Sequence, residues 1–257
     1  MVKISNEKWK QKSAHLQLQP INILKIKINK IKNMKYISIN AFDIPDAWLQ
    51  IVESILKYGD VFDVGRGSEI TRTRAVALGL EISNPEIRPL AHPQAPFTMK
   101  YVEEYALEYL FIGDKHEGEE YTYGERLRKP IDQIEKVIEK YKEEKNDRQN
   151  TMVIRRPEDL DSPDPPCLTV MDTEILDNKL HFIVYFRSWD AYAGFPANIA
   201  GFQLLKEYMA SEIGVEPGKT MAFSKNIHLY ERQISFAEQL VYGKSERPRF
   251  FKEKSEK

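Results

Sequence analysis

Residues 187–201 read RSWDAYAGFPANIAG: a charged fork and a hydroxyl, a turn, then a run with helical character. Upstream, Leu180–Phe186 is an apolar run of strand length that ends at Arg187. Leu168–Ile175 is a second such run, and Asp177-Asn178 between the two supplies a turn. Downstream, Gly194–Pro196 reads as a turn and Ile199–Glu212 as a helix stopped at Gly214. Lys219–Phe223 and Ile227–Tyr230 then read as two short strands. Strands mixed with helices in this way point to an α/β (α+β) sheet enzyme.

The pattern continues toward the N-terminus. Asp43–Tyr58 reads as a helix opened by an acidic residue and a proline and closed by Gly59. Val61–Thr73, with GRGSEIT inside it, reads as a polar loop, and Ala75–Ser83 as a strand. Met99–Ile112 has Tyr101, Val102, Tyr105, Tyr109 and Leu110 on one side of a helix. Ile131–Lys145 is an amphipathic helix with charges interleaved at i,i+4, and Thr151–Ile154 is a short strand. The irregular link RRPEDLDSPDPPC then delivers Cys167. Residues 1–33 are lysine-rich and unlike the rest. They are expected to be an extension or a non-native start, with the catalytic domain over 34–257 and a charged tail at 245–257.

Composition narrows the function classes. With 42% hydrophobic and 30% charged residues, the 257-residue chain has an ordinary soluble globular profile. No apolar run approaches the roughly 20 residues that span a bilayer, and no signal-peptide order opens the chain. A cytoplasmic address and no membrane partner are expected. The net charge of −1 argues against nucleic acid as a partner. A single cysteine excludes a disulfide framework and a multi-cysteine metal site, so no metal is expected. Alone, such a cysteine is more often a buried apolar filler than a nucleophile.

The neighbours of Cys167 change that balance. Pro165 and Pro166 hold the chain extended before it, and a thiolate needs cationic or hydrogen-bonding company. Arg187 followed by Ser188 suits a phosphate. Asp190 is an acceptor for a ring N–H. Asn198, at the expected helix start, is either a cap or a reader of a base edge, since a carboxamide offers a donor and an acceptor together. His228 and Tyr230 share one face of a strand and suit a sugar hydroxyl. Tyr123, beside Gly124 in a polar turn, suits proton movement.

PPC at 165–167, RSxDxxxGxPxNIA from 187 and HxY at 228–230 together resemble the thymidylate synthase family, most of all its divergent archaeal branch. Cys167 to Arg187 spans 20 residues, Arg187 to Asn198 spans 11, and Asn198 to His228 spans 30. The resemblance implies a large twisted mixed sheet with surrounding helices, two such sheets packing back to back in a homodimer. It implies reductive methylation of dUMP, with Cys167 attacking C6 and 5,10-methylenetetrahydrofolate or a related pterin, such as a methanopterin, supplying the carbon and the hydride. Arg66, Arg187 and Ser188 would hold the phosphate, and Arg148 would reach across the dimer. Asp190 would meet the pterin, Asn198 would read uracil, His228 and Tyr230 would hold the 3′-hydroxyl, and Tyr123 would assist loss of the C5 proton. Of Glu103, Glu104 and Glu108, Glu104 best matches the family's helix glutamate. The family's second phosphate arginine is Gln149 here. Leu168 and Phe186 replace a histidine and a glutamine, and Arg155-Arg156 replace a Trp-Asn pair. Two rivals are a deoxycytidylate hydroxymethylase, which typically carries aspartate at the Asn198 position, and a nucleotide-binding protein that has lost turnover.

Overall fold

The computed structural model describes residues 35–66, 69–115 and 117–243, without the side chains of 66, 69 and 70. The expected extension over 1–33 and the tail at 245–257 lie outside the described residues. Asp43 accepts from the Asp46 N–H at 2.8 Å and caps helix α1 (Ile44–Tyr58). Trp48, Ile51, Val52 and Ile55 fall on one buried stripe of α1. Each fully buried side chain of this size stabilises the fold by about 1.5–3 kcal/mol.

The described strands form one mixed sheet. They are β1 (Tyr36–Ala41), β2 (Asp60–Arg66), β3 (Glu69–Ile82), β4 (Met152–Val153), β5 (Leu168–Leu176), β6 (Lys179–Phe186), β7 (Trp189–Asp190) and β8 (Glu216–Tyr230). The order is β1-β3-β8-β6-β5-β4, with β2 also paired to β3 and β7 to β8. The β1–β3, β6–β8 and β7–β8 pairs are parallel and the others antiparallel. The β5–β6 hairpin turns through Asp177 (φ 52°) and Asn178 (φ 58°), the left-handed pair that a two-residue turn between twisted strands requires.

Register separates the two faces of the sheet. Leu80, Ala222, Val184, Met171 and Met152 are partners in sequence across five strands, and all are buried beneath the helices. One residue along, Gly79, Phe223, Tyr185, Val170 and Val153 form the matching row on the opposite face. There Phe223 and Val153 are close to half exposed, so this face carries an apolar band that the helices leave uncovered.

Helix α2 (Met99–Tyr105) runs on into a π-helical stretch, Ala106–Ile112, where the Gly113 N–H donates to Glu108 C=O five residues back. Thr122 caps α3 (Tyr123–Arg128), and Asp132 caps α4 (Gln133–Glu143). Helix α5 (Gly194–Ile213) is buried on nearly every side, as its apolar composition requires. A Cβ on Gly201 would come within 2.8 Å of the Tyr105 ring, so this glycine lets α5 and α2 pack closely. Buried Lys206 of α5 donates to Gly218 C=O (2.6 Å), Lys219 C=O (3.2 Å) and Thr220 Oγ1 (2.7 Å), fastening α5 to the start of β8. Helix α6 (Ile234–Tyr242) closes the described chain. No helix among the described residues is long and apolar enough to cross a membrane.

Several expectations are corrected. Among the described residues, 61–66 and 69–73 are not a loop: they are paired antiparallel strand, β2 against β3. The GFP stretch is not a turn but the first turn of α5, where proline's missing N–H costs nothing. Asn198 therefore lies inside the helix rather than capping it. The two short strands at 219–223 and 227–230 are one continuous strand, β8, with an extra residue accommodated between them. Tyr123 opens a helix rather than a turn, and helix α6 carried no expectation.

Candidate active site

Cys167 sits half-buried between the buried Pro165-Pro166 pair and the first residue of β5. The end of β6 holds it there. The Arg187 N–H donates to Cys167 C=O at 2.9 Å, and the Arg187 guanidinium donates through Nε to Pro166 C=O (2.9 Å) and through Nη2 to Pro165 C=O (2.5 Å). Pro165 and Pro166 have no N–H to donate, so their carbonyls are what Arg187 can grip, and it clamps the loop that carries Cys167.

Two cavities adjoin this region: the lining of the first includes Pro163 and Asp164 of the loop, that of the second includes Arg187, and Cys167 itself is in neither lining. The first, of about 500 Å³, is lined by Tyr105, Tyr109, Glu119, Tyr121, Tyr123, Asp164 and Asn198, among others. The second, of about 310 Å³, is lined by Arg187, Ser188, His228 and Tyr230 together with Val64, Thr73, Lys225 and Asn226. The Tyr121 and Tyr123 rings lie 5.8 Å apart at the first cavity. The Leu168 N–H donates to the Tyr123 hydroxyl at 3.4 Å, which ties that ring to the residue after Cys167. Burial pushes the Tyr121 phenol up to about 12, partly offset by a backbone hydrogen bond from Cys167. Burial raises Tyr123 well above its ordinary value too, so its phenol stays protonated near neutral pH.

Asn198 projects from α5 and is held at both ends. Its Oδ1 accepts from the Trp189 indole N–H at 2.9 Å, and its Nδ2 donates to the Tyr105 hydroxyl at 2.7 Å. An indole N–H only donates, so the carboxamide has one orientation. That orientation leaves it one N–H and one lone pair for a ligand. Trp189 in turn stacks on Phe186 at 3.8 Å with the rings 5° from parallel, and Phe186 packs against Phe202 and edge-on to Tyr123. Phe186 therefore belongs to the aromatic layer that supports Asn198 and Tyr123, and does not itself line either cavity.

Asp190 is engaged locally. Its carboxylate accepts from the Tyr192 N–H (2.9 Å), the Ala193 N–H (3.4 Å) and the Gln233 side-chain amide (3.1 Å to each oxygen) at the entry to α5. His228 is buried, and burial lowers its pKa, with the Asp190 charge acting weakly in the opposite sense. The ring is neutral near pH 7; its Nδ1–H faces the Asn226 C=O at 3.5 Å, which leaves Nε2 as an acceptor for a hydroxyl. Tyr230 meets it edge to face at 4.8 Å.

Other expected residues are elsewhere. Glu104 is exposed and pairs with Lys100 at 3.2 Å; Glu103 and Glu108 are exposed too. None of the three lines either cavity. The inner face of α2 and its π-helical extension is given by Tyr105 and Tyr109, and the carboxylates at the cavity are Glu119, which accepts from the Tyr109 hydroxyl, together with Glu120 and Asp164. Tyr105, noted only as part of an apolar stripe, is a functional candidate that spacing alone did not single out. Arg148 is exposed and lines neither cavity of its own chain. The Arg66 side chain lies outside the described residues. The Arg156 guanidinium donates to Lys129 C=O, so it is spent within the chain.

A family model described as thymidylate synthase matches residues 24–255. A Methanosarcina acetivorans protein named "Putative thymidylate synthase" is 36% identical over 209 residues, 80% of this chain and 94% of its own length. A Methanosarcina mazei protein of the same name is 37% identical with the same coverage. One from Methanothermobacter marburgensis is 30% identical over 220 residues, 79% of this chain and 97% of its own length.

Proposed function

The chain belongs to the thymidylate synthase family, and we propose that it converts dUMP to dTMP through covalent attack of Cys167 on C6 of the pyrimidine. The observation that carries this reading is the single orientation of Asn198. Its remaining N–H matches uracil O4 and its remaining lone pair matches uracil N3–H. Cytosine presents the reverse pattern and leaves two like groups facing each other. This argues against the deoxycytidylate hydroxymethylase alternative.

The chemistry follows from the residues in turn. Cys167 adds to C6, and the electron pair displaced from the ring double bond develops as enolate charge at O4. The Asn198 N–H donates to that oxygen as the charge grows, which is worth more in a partly buried site than in water. The donor, methylenetetrahydrofolate or a related pterin, supplies a one-carbon unit and a hydride. Tyr105, Tyr109 and Tyr121 offer aromatic surface to such a ring, and Glu119 and Asp164 offer acceptors for its N–H groups. Tyr123, being protonated, cannot serve as a phenolate base. Its part in the loss of the C5 proton is to hold a water by hydrogen bonding. Asp190, fixed by the backbone at the head of α5, meets the pterin in this reading. Arg66, Arg187 and Ser188 hold the phosphate, and His228 and Tyr230 hold the sugar hydroxyl.

The working unit in this reading is a homodimer joined through the uncovered sheet face. A second copy is the occupant that the band of Phe223, Tyr185, Val170 and Val153 fits, because its apolar centre is edged by Glu81 and Lys219, which already pair at 2.7 Å. Arg148, turned away from its own cavities, then serves the other copy's site.

The test is turnover. Purified protein given dUMP should form dTMP, measured by chromatography, with methylenetetrahydrofolate or with a methanopterin-type donor. With folate, product formation should be accompanied by the absorbance rise of dihydrofolate. Tight binding of dUMP with no dTMP from either donor would overturn the enzymatic reading in favour of a binding protein.

A further inference from the structure

The second cavity holds a cation that the nucleotide reading did not call on. Lys225 lines it together with Arg187, Ser188, Thr73, His228 and Tyr230. On an ideal strand, residues three apart face opposite sides of the sheet. Lys225 and His228 are three apart, yet they line one cavity. The reason is a bulge. Val76 and Leu78 of β3, two residues apart, pair with Ile227 and Ser224 of β8, three residues apart. The extra residue resets the alternation of β8 and brings Lys225 to the side of His228 and Tyr230. The Asn226 N–H donates to Ser224 Oγ at 3.2 Å, which pins the bulge.

Charge gives the cavity a use for this lysine. A phosphate monoester carries about −1.5 to −2 near pH 7. The Arg187 guanidinium already spends Nε and one Nη2 proton on the Pro166 and Pro165 carbonyls, so it meets such an anion with only part of its fork. Gln149, at the position where the resemblance implies an arginine, is neutral. Lys225 forms no ion pair among the described residues, and its exposed stem leaves the ammonium able to swing onto a ligand in the cavity.

We propose that Lys225 is a substrate-binding residue, its ammonium holding the phosphate monoester of the nucleotide beside Arg187 and Ser188 and supplying charge that Gln149 lacks. The claim rests on the nucleotide reading above, and its test separates the two. Calorimetric titration of the wild type and of Lys225→Ala is done with dUMP, with deoxyuridine and with inorganic phosphate. The expected result is an affinity for dUMP lower by about tenfold in the variant, the loss of one charge-assisted contact. Affinity for deoxyuridine should be unchanged, and Lys225→Arg should restore dUMP binding. Equal dUMP affinity in wild type and Lys225→Ala, or equal losses for dUMP and deoxyuridine, would overturn the proposal. A wild type that binds no dUMP would defeat the nucleotide reading instead. The inorganic phosphate titration then decides Lys225 by itself: weaker binding in Lys225→Ala upholds it as an anion contact, and equal binding removes it.

Discussion

The Trp189 indole N–H and Asn198 Oδ1 are 2.9 Å apart, and this one bond determines which atoms of the carboxamide remain for a ligand. Replacing the amide by a carboxylate keeps the bond to Trp189 but removes the donor that suits uracil O4. In Asn198→Asp the preference for dUMP over dCMP should fall by at least about 100-fold, the scale on which sites reject a partner that leaves polar groups unmatched. The ratio of kcat/KM for the two nucleotides measures it, and an unaltered ratio would refute the edge-reading role.

Cys167→Ser removes the thiol without disturbing the loop, because the clamp acts on the carbonyls of 165–167 and not on the side chain. Turnover should drop by at least about 1,000-fold while dUMP still raises the melting temperature. Activity near the wild-type level in this variant would remove the proposed chemistry.

Arg187→Lys keeps a charge but loses the fork. Two bonds to the Pro165 and Pro166 carbonyls vanish together. Stability should fall by about 1–3 kcal/mol, read as a lower denaturant midpoint with an unchanged slope. The kcat should fall as well, since the loop bearing Cys167 loosens. A variant with full stability would show that the clamp is incidental.

His228 gives a pH dependence with a definite sign. Its folded pKa lies below the ordinary value of about 6.5 because burial disfavours the imidazolium. Below that value the unfolded chain binds the proton more readily than the folded one. The contribution of His228 to stability is therefore complete above about pH 6.5 and is lost as pH falls through the lowered folded value. Urea unfolding between about pH 5 and pH 8 should show this slope, and His228→Gln should make it shallower. His181, also lowered by burial, remains in that variant as an internal control.

Phe223 tests the assembly. It is about half exposed on the uncovered sheet face, so Phe223→Glu should leave the fold intact and yield a monomer in analytical ultracentrifugation. A wild type that is monomeric and active would contradict the homodimer.

Much of the fold and of the proposed site was legible in the amino-acid string because the candidate residues sit on stiff elements at set intervals. Cys167, Arg187, Asn198 and His228 lie at the ends or on the faces of strands and one long helix, and their spacing survives folding. The β2–β3 hairpin was not legible, since glycine and polar residues in 61–73 carry the same signal as a loop when a strand is half exposed. The bulge in β8 has no glycine or proline to announce it, so one strand read as two and Lys225 escaped notice. Local resemblance favours Glu104 over its neighbours. The helix turns Tyr105 inward and leaves Glu104 in solvent, and the wider π-helical turn that follows shifts the faces again.

Strand β8 carries Phe223 on the outer surface and Lys225, two residues on, at the bulge that lines the second cavity. In the proposed dimer, a second copy that grips Phe223 would steady Lys225. Diluting the protein until the copies part should therefore relax its hold on dUMP while leaving its helix content untouched. Specific activity would then depend on how much enzyme the assay contains, and abundance itself would act as a throttle on the reaction.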